Sequence, residues 1–145
     1  MQRVELSIPS NLVFERVVRA SAAEVGSAFG FSDERIEDLK LAISEAVNNA
    51  IEHGNAQAAD KLVGIVFELD QEKLEVRISD QGSGAEHLDF SRRVIEEQNL
   101  DGDMLRGFGM YLIGALVDDY EVRSSQTGTE LTLRLYRKGE QGGAR

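Results

Sequence analysis

The sequence predicts an α+β fold: a two-layer α/β sandwich in which one mixed sheet is covered by helices on one face. Three observations predict it. Val4, Leu6 and Ile8 alternate with Arg3, Glu5 and Ser7, the period-two pattern of a strand with one buried face. Two stretches with apolar residues three and four apart follow, as amphipathic helices require. Two pairs of short β-type runs, each joined by turn residues, then supply a sheet that needs those helices as its cover.

The elements follow in order. Pro9 stops the first strand because it has no N–H to give a ladder. Ser10 or Asn11 caps a first helix with Val13, Val17, Val18, Ser21, Val25 and Phe29 on one side, and Gly30 ends it. Ser32 caps a second helix that runs to His53 and stops at Gly54. Its apolar stripe is Ile36, Leu39, Ile43, Ala46, Val47 and Ala50. Residues 62–69 and 74–78 read as strands around the turn Asp70-Gln71-Glu72-Lys73. Residues 85–106 are polar, lack a clear period and contain Asp101-Gly102-Asp103, so they read as a long functional loop with a short helix at 91–98. A third helix spans 109–117, and strands at 121–125 and 130–136 close a hairpin around Gln126-Thr127-Gly128. One domain covers 1–138, and 139–145 form a flexible polar tail.

Composition narrows the function. With 145 residues there is room for one domain with a real core. The net charge of −10 argues against nucleic acid, whose backbone calls for a basic footprint, and leaves a basic protein partner open. The absence of cysteine excludes disulfides and thiolate catalysis, and fits a reducing compartment. No apolar run reaches membrane-spanning length and no signal-peptide pattern opens the chain, so a cytoplasmic protein without membrane contact is expected.

Three segments carry chemistry. The first is Ser44-Glu45-Ala46-Val47-Asn48-Asn49-Ala50-Ile51-Glu52-His53-Gly54. On a helix, Glu45 and Asn49 stand one turn apart on the polar face. Asn is a mediocre helix former, so two adjacent asparagines are poorly explained by solvation alone. The Asn49 carbonyl is a hard ligand suited to Mg²⁺, and Glu45 can take a proton from a hydroxyl beside a metal-bound phosphate. Glu52 reads as solvated, and His53 as a helix C-terminal charge. The second segment is Ile78-Ser79-Asp80-Gln81-Gly82-Ser83-Gly84, a carboxylate at a strand end before glycines. Asp80 can accept from an exocyclic amine such as adenine's, and Gly82 and Gly84 let backbone approach a flat base; the same residues also suit a plain turn. The third is Arg106-Gly107-Phe108-Gly109-Met110, with glycines placed before a helix whose free amides bind phosphate well. Arg106 is either a phosphate contact or a surface residue. Gly128-Thr129 reads as a turn. There is no Walker-type loop, no His-Arg-Asp kinase loop and no nucleophile elbow, and two histidines are too few for a zinc site.

In that order and spacing, the three segments resemble the N, G1 and G2 boxes of the GHKL ATP-binding fold shared by gyrase, histidine kinases and MutL. The stretch from Ser44 to Gly54 is most similar to the small bacterial anti-sigma factor serine kinases. The resemblance spans Val4 to Tyr136. It implies that Asn49 coordinates Mg²⁺ on ATP or ADP. It implies that Glu45 is the base for a serine of a STAS-domain antagonist, and that Asp80 binds adenine with Gly82 and Gly84 lining the base pocket. Residues 85–106 would be the ATP lid, with Gly107 and Gly109 as its phosphate-contacting hinge. A sigma factor would be the sequestered partner and the chain would form a homodimer. Asn48 departs from the threonine common in close relatives. Three alternatives stay open at this point: a nucleotide-gated binding module without catalysis, a partner-switching kinase whose target is not a sigma factor, and a histidine-kinase-like ATP domain acting on another chain.

Overall fold

The alternating N-terminal residues form β1 (Gln2–Pro9), the edge strand of a five-stranded sheet. The computed structural model describes residues 1–56, 58, 60–82 and 102–137, with 102–108 described by their backbone. Within these residues the other elements are α1 (Glu15–Ala28), α2 (Asp33–Asn49), β2 (Leu62–Leu69), β3 (Lys73–Ser79), α3 (Gly102–Leu116), β4 (Asp119–Ser125) and β5 (Gly128–Tyr136). The strand order is β1-β2-β3-β5-β4. The loop expected at 85–106, its short helix and the tail at 139–145 lie outside the described residues, apart from the stretch from Gly102 that belongs to α3.

The α+β sandwich is as expected, but the sheet is antiparallel at every pairing rather than mixed. Two helices separate β1 from β2. Each reverses the chain, so β2 returns against β1; a parallel neighbour needs a single crossover. The register aligns Val4, Phe67, Val76, Leu133 and Tyr120 in one row across all five strands. The inner members of that row, Phe67, Val76 and Leu133, and their neighbours Ile65, Ile78 and Leu131 form the core, while Val4 and Tyr120 on the two edge strands stay exposed.

The first helix departs from its sequence reading. Asn11 caps a short 3₁₀ turn, Leu12–Phe14, by accepting from the Val13 N–H at 3.0 Å. The α-helix starts only at Glu15. The tighter turn shifts the phase, so Val13 and Val17 stay 51% and 45% exposed. Val18 is buried as its place in the stripe requires, Ala22 and Gly26 are buried with it, and Val25 and Phe29 pack half-buried against the core. At Gly26 a Cβ would stand 3.1 Å from Ile36 Cγ1, so a small residue lets α1 and α2 lie close.

The second helix follows its pattern. Ser32 Oγ accepts from the Arg35 N–H at 3.2 Å, and all six predicted stripe residues are buried. Past Asn49 the helix widens into one π turn, Ala50–Gly54, closed by the Asn55 N–H donating to the Ala50 carbonyl at 2.8 Å. The β2–β3 turn is held by Asp70, whose Oδ1 accepts from the Glu72 and Lys73 amides at 2.7 and 2.9 Å. Among the described residues, no helix is long and apolar enough to cross a membrane.

The other face of the sheet carries a row of alternating charge. Arg3 pairs with Glu68, Glu68 and Glu75 with Arg77, and Arg134 with Glu75, Asp119 and Glu121. The hydrogen bond from Arg77 holds the Glu68 carboxyl below the usual range, and Arg134 does the same for Glu121. A carboxyl that is more acidic in the folded state stabilises it at neutral pH. Once the pH falls below about 4.3, the unfolded chain takes up protons first and that stabilisation is lost. Urea midpoints should therefore fall on the acid side, and less steeply for Glu68→Gln than for the wild type.

Candidate functional site

Burial of Ala42, Ile43, Ala46, Val47 and Ala50 against the core turns the opposite side of α2 outward and presents Glu45 and Asn49, both half-buried. The third helix lies across this face. A Cβ at Gly109 would stand 2.9 Å from Glu45 Oε2 and 3.6 Å from Asn49 Nδ2, so the glycine lets the α3 backbone lie against both side chains without displacing the Glu45 carboxylate. Asn49 Nδ2 is buried and has no hydrogen-bond partner among the described residues. An unpaired buried donor costs about 1–3 kcal/mol.

The glycines of the third segment sit differently from expectation. The helix begins at Gly102, so Gly107 and Gly109 lie inside it rather than before it. In the sequence Leu105, Phe108 and Leu112 keep a helical spacing that outweighs the propensity cost of the two glycines, roughly 1 kcal/mol each. Their amides are past the first four of the helix, where the intrahelical ladder takes them. Gly109 therefore acts in this structure through close approach to Glu45 and Asn49. The Arg106 side chain and Gly84 lie outside what is described.

Asp80 follows β3 and is locked by the start of β5. Its N–H donates to the Thr129 carbonyl at 3.0 Å, and its Oδ1 accepts from the Gly82 and Thr129 amides at 2.9 and 3.1 Å. Three glycines crowd it. A Cβ at Gly54 would overlap the Asp80 carboxylate, one at Gly82 the Gly54 carbonyl, and one at Gly128 the Asp80 carbonyl. Among the described residues nothing donates to Oδ2, so one oxygen of a fixed carboxylate stays available to a ligand amine.

The π turn carries Gly54 from the end of the Glu45–Asn49 helix to Asp80, so the first two segments meet as predicted. Sequence reasoning missed four contributors. Gly54 was expected only as a helix stop, and Gly128 and Thr129 only as a turn, yet all three touch Asp80. Asn55, 1% exposed, was not singled out; its signal was an asparagine directly after the helix-ending glycine. A cavity of 800 Å³ lined by Phe29, Leu69, Glu72 and Arg137 contains none of these residues.

This geometry has known counterparts. The family described as histidine kinase-like ATPase domain matches residues 8–135. The serine-protein kinase RsbW of Listeria innocua is 34% identical over 126 residues, covering 83% of this chain and 78% of that protein. The serine-protein kinase RsbW of Bacillus cereus strain ZK is 29% identical over 140 residues, covering 94% and 87%. Among solved structures, the RsbU and RsbW domains of a Mycobacterium tuberculosis protein superpose with a TM-score of 0.67 at 22% identity, over 93% of this chain and 32% of that one. The histidine kinase domain of a blue-light-activated kinase from Erythrobacter litoralis superposes with a TM-score of 0.60 at 18% identity, over 93% and 64%. Those two share the fold. With the family match over nearly its whole length and an RsbW relative at this identity, the chain belongs to the histidine kinase-like ATPase family, among the RsbW serine-protein kinases.

Proposed function

We propose that this chain is an anti-sigma factor serine kinase that sequesters a sigma factor and, with Mg-ATP, phosphorylates a serine of a small STAS-domain antagonist. One observation carries the reading: the seat of Glu45 and Asn49 together beneath Gly109, on one side of a fixed Asp80. A carboxylate one turn from a metal ligand serves no purpose in a module that only binds nucleotide. The kinase names of the relatives supply the acceptor class.

In this reading Asp80 Oδ2 accepts from the adenine amine, and Gly82 and Gly84 line the base pocket. Asn49 would hold Mg²⁺: its amide oxygen is a hard donor, and its unpartnered amide nitrogen fits a side chain kept for a ligand. When bound, the ion would neutralise phosphate charge. Glu45 takes the proton of the antagonist serine hydroxyl. The serine oxygen bonds to the γ-phosphorus as the bond to the ADP oxygen breaks. Residues 85–106 act as the lid, with Arg106 and Gly107 on its phosphate side. A homodimer in the cytoplasm completes the proposal.

Glu45→Ala separates catalysis from binding. Single-turnover phosphorylation of the candidate antagonist should fall ~10²–10⁴-fold, the usual contribution of a positioned base, while the Kd for ATP stays unchanged. Unchanged phosphorylation would assign the proton to another group. Asn49→Ala should weaken ATP binding more in magnesium than in chelator, as read by calorimetry.

A further inference from the structure

Asn55 lies outside all three segments, yet its side chain joins several parts of the fold. It is 1% exposed. Its Nδ2 donates to the Leu62 carbonyl at 3.1 Å and to Ser10 Oγ at 2.7 Å, and its Oδ1 accepts from the Gln81 N–H at 2.7 Å. Ser10 Oγ in turn donates to the Lys61 carbonyl at 2.7 Å, and Gln81 Oε1 accepts from the Leu62 N–H at 2.6 Å. One buried side chain thus ties the π turn, the chain after β1, the start of β2 and the Asp80 loop.

A primary amide suits this place. The Gln81 N–H can only donate and the Leu62 carbonyl can only accept, so the residue between them must offer both functions a few ångströms apart. That requirement also leaves a single orientation for the Asn55 amide. Its neighbours on either side of these contacts are site residues. Gly54, directly before it, abuts the Asp80 carboxylate, and Gln81, whose N–H it holds, directly follows Asp80.

We infer that Asn55 is a positioning residue that clamps the Asp80 loop to the end of the Glu45–Asn49 helix, and so sets nucleotide affinity and base selectivity without touching the nucleotide. This rests on the reading of Asp80 as the base-contacting group. With Asn55 in place, Asp80 Oδ2 stays where one base edge fits it. Without it, Gln81 loses its anchor and the carboxylate gains freedom to accept other edges.

The test is calorimetric titration with ATP and GTP, beside thermal midpoints, for Asn55→Ala, Ser10→Ala and Asp80→Ala in the full chain. Asn55→Ala should raise the Kd for ATP ~10-fold, the equivalent of one buried hydrogen bond lost, and narrow the preference for ATP over GTP. Ser10→Ala removes one bond of the same network but leaves the hold on Gln81. It should lower the midpoint while the Kd for ATP and the ATP-to-GTP ratio stay as in the wild type. If Asn55→Ala does not fold alone, it is titrated beside the wild type in the stabilising osmolyte TMAO, where the same ~10-fold rise in the Kd for ATP and the same narrowed preference are expected. A folded Asn55→Ala with wild-type Kd values and selectivity overturns the inference, as does an equal loss of affinity in Ser10→Ala. An Asp80→Ala that binds ATP and GTP as the wild type does fails differently: it removes the base-site reading and the inference with it.

Discussion

A helix that buries one face must present the other, and this constraint on α2 organises the rest of the molecule. Its stripe from Ile36 to Ala50 is wholly taken up by the core. Rolling the helix by one residue, about 100°, would bring polar side chains against Ile65 and Phe67 and expose residues whose burial contributes about 1.5–3 kcal/mol for each large one. Glu45 and Asn49 are therefore aimed by apolar residues that never meet a ligand. The polar face is a by-product of packing, and its stiffness comes from there.

Around that helix the site is assembled by backbone approach. At Gly109, Gly54, Gly82 and Gly128 a single methyl group would collide with a functional side chain, or with the main chain beside one. Glycines in regular elements weaken them, so the sandwich is less stable locally where it must let two chain segments come within contact. The same arrangement leaves Asn49 Nδ2 unpaired and one Asp80 oxygen without a donor among the described residues. Close backbone approach thus marks the place where the nucleotide is proposed to bind, while the far side of the sheet carries a row of ion pairs. That charged face explains why the sandwich stops at two layers: covering it would mean desolvating the paired groups of Arg77 and Arg134.

Local sequence determined the elements and the chemistry on offer. Period-two and period-3.6 patterns placed β1, α2, β2, β3 and the β4–β5 hairpin, and Ser32 and Asp70 act as the cap and turn residues they appear to be. Glu45, Asn49 and Asp80 were singled out by residue type and spacing, Asp80 from a run that equally suits a plain turn. What only the tertiary structure decided was phase, direction and proximity. The 3₁₀ turn rotated Val13 and Val17 out of the core, and the helix pair after β1 made the sheet antiparallel. The third helix reaches back to Gly102 through two glycines that in sequence read as preceding it. Asn55, Gly128 and Thr129 took their roles from partners between 7 and 49 residues away in the chain. Spacing along a chain fixes which residues share a face of one element, whereas contacts between elements depend on how faces dock, and no local pattern encodes that.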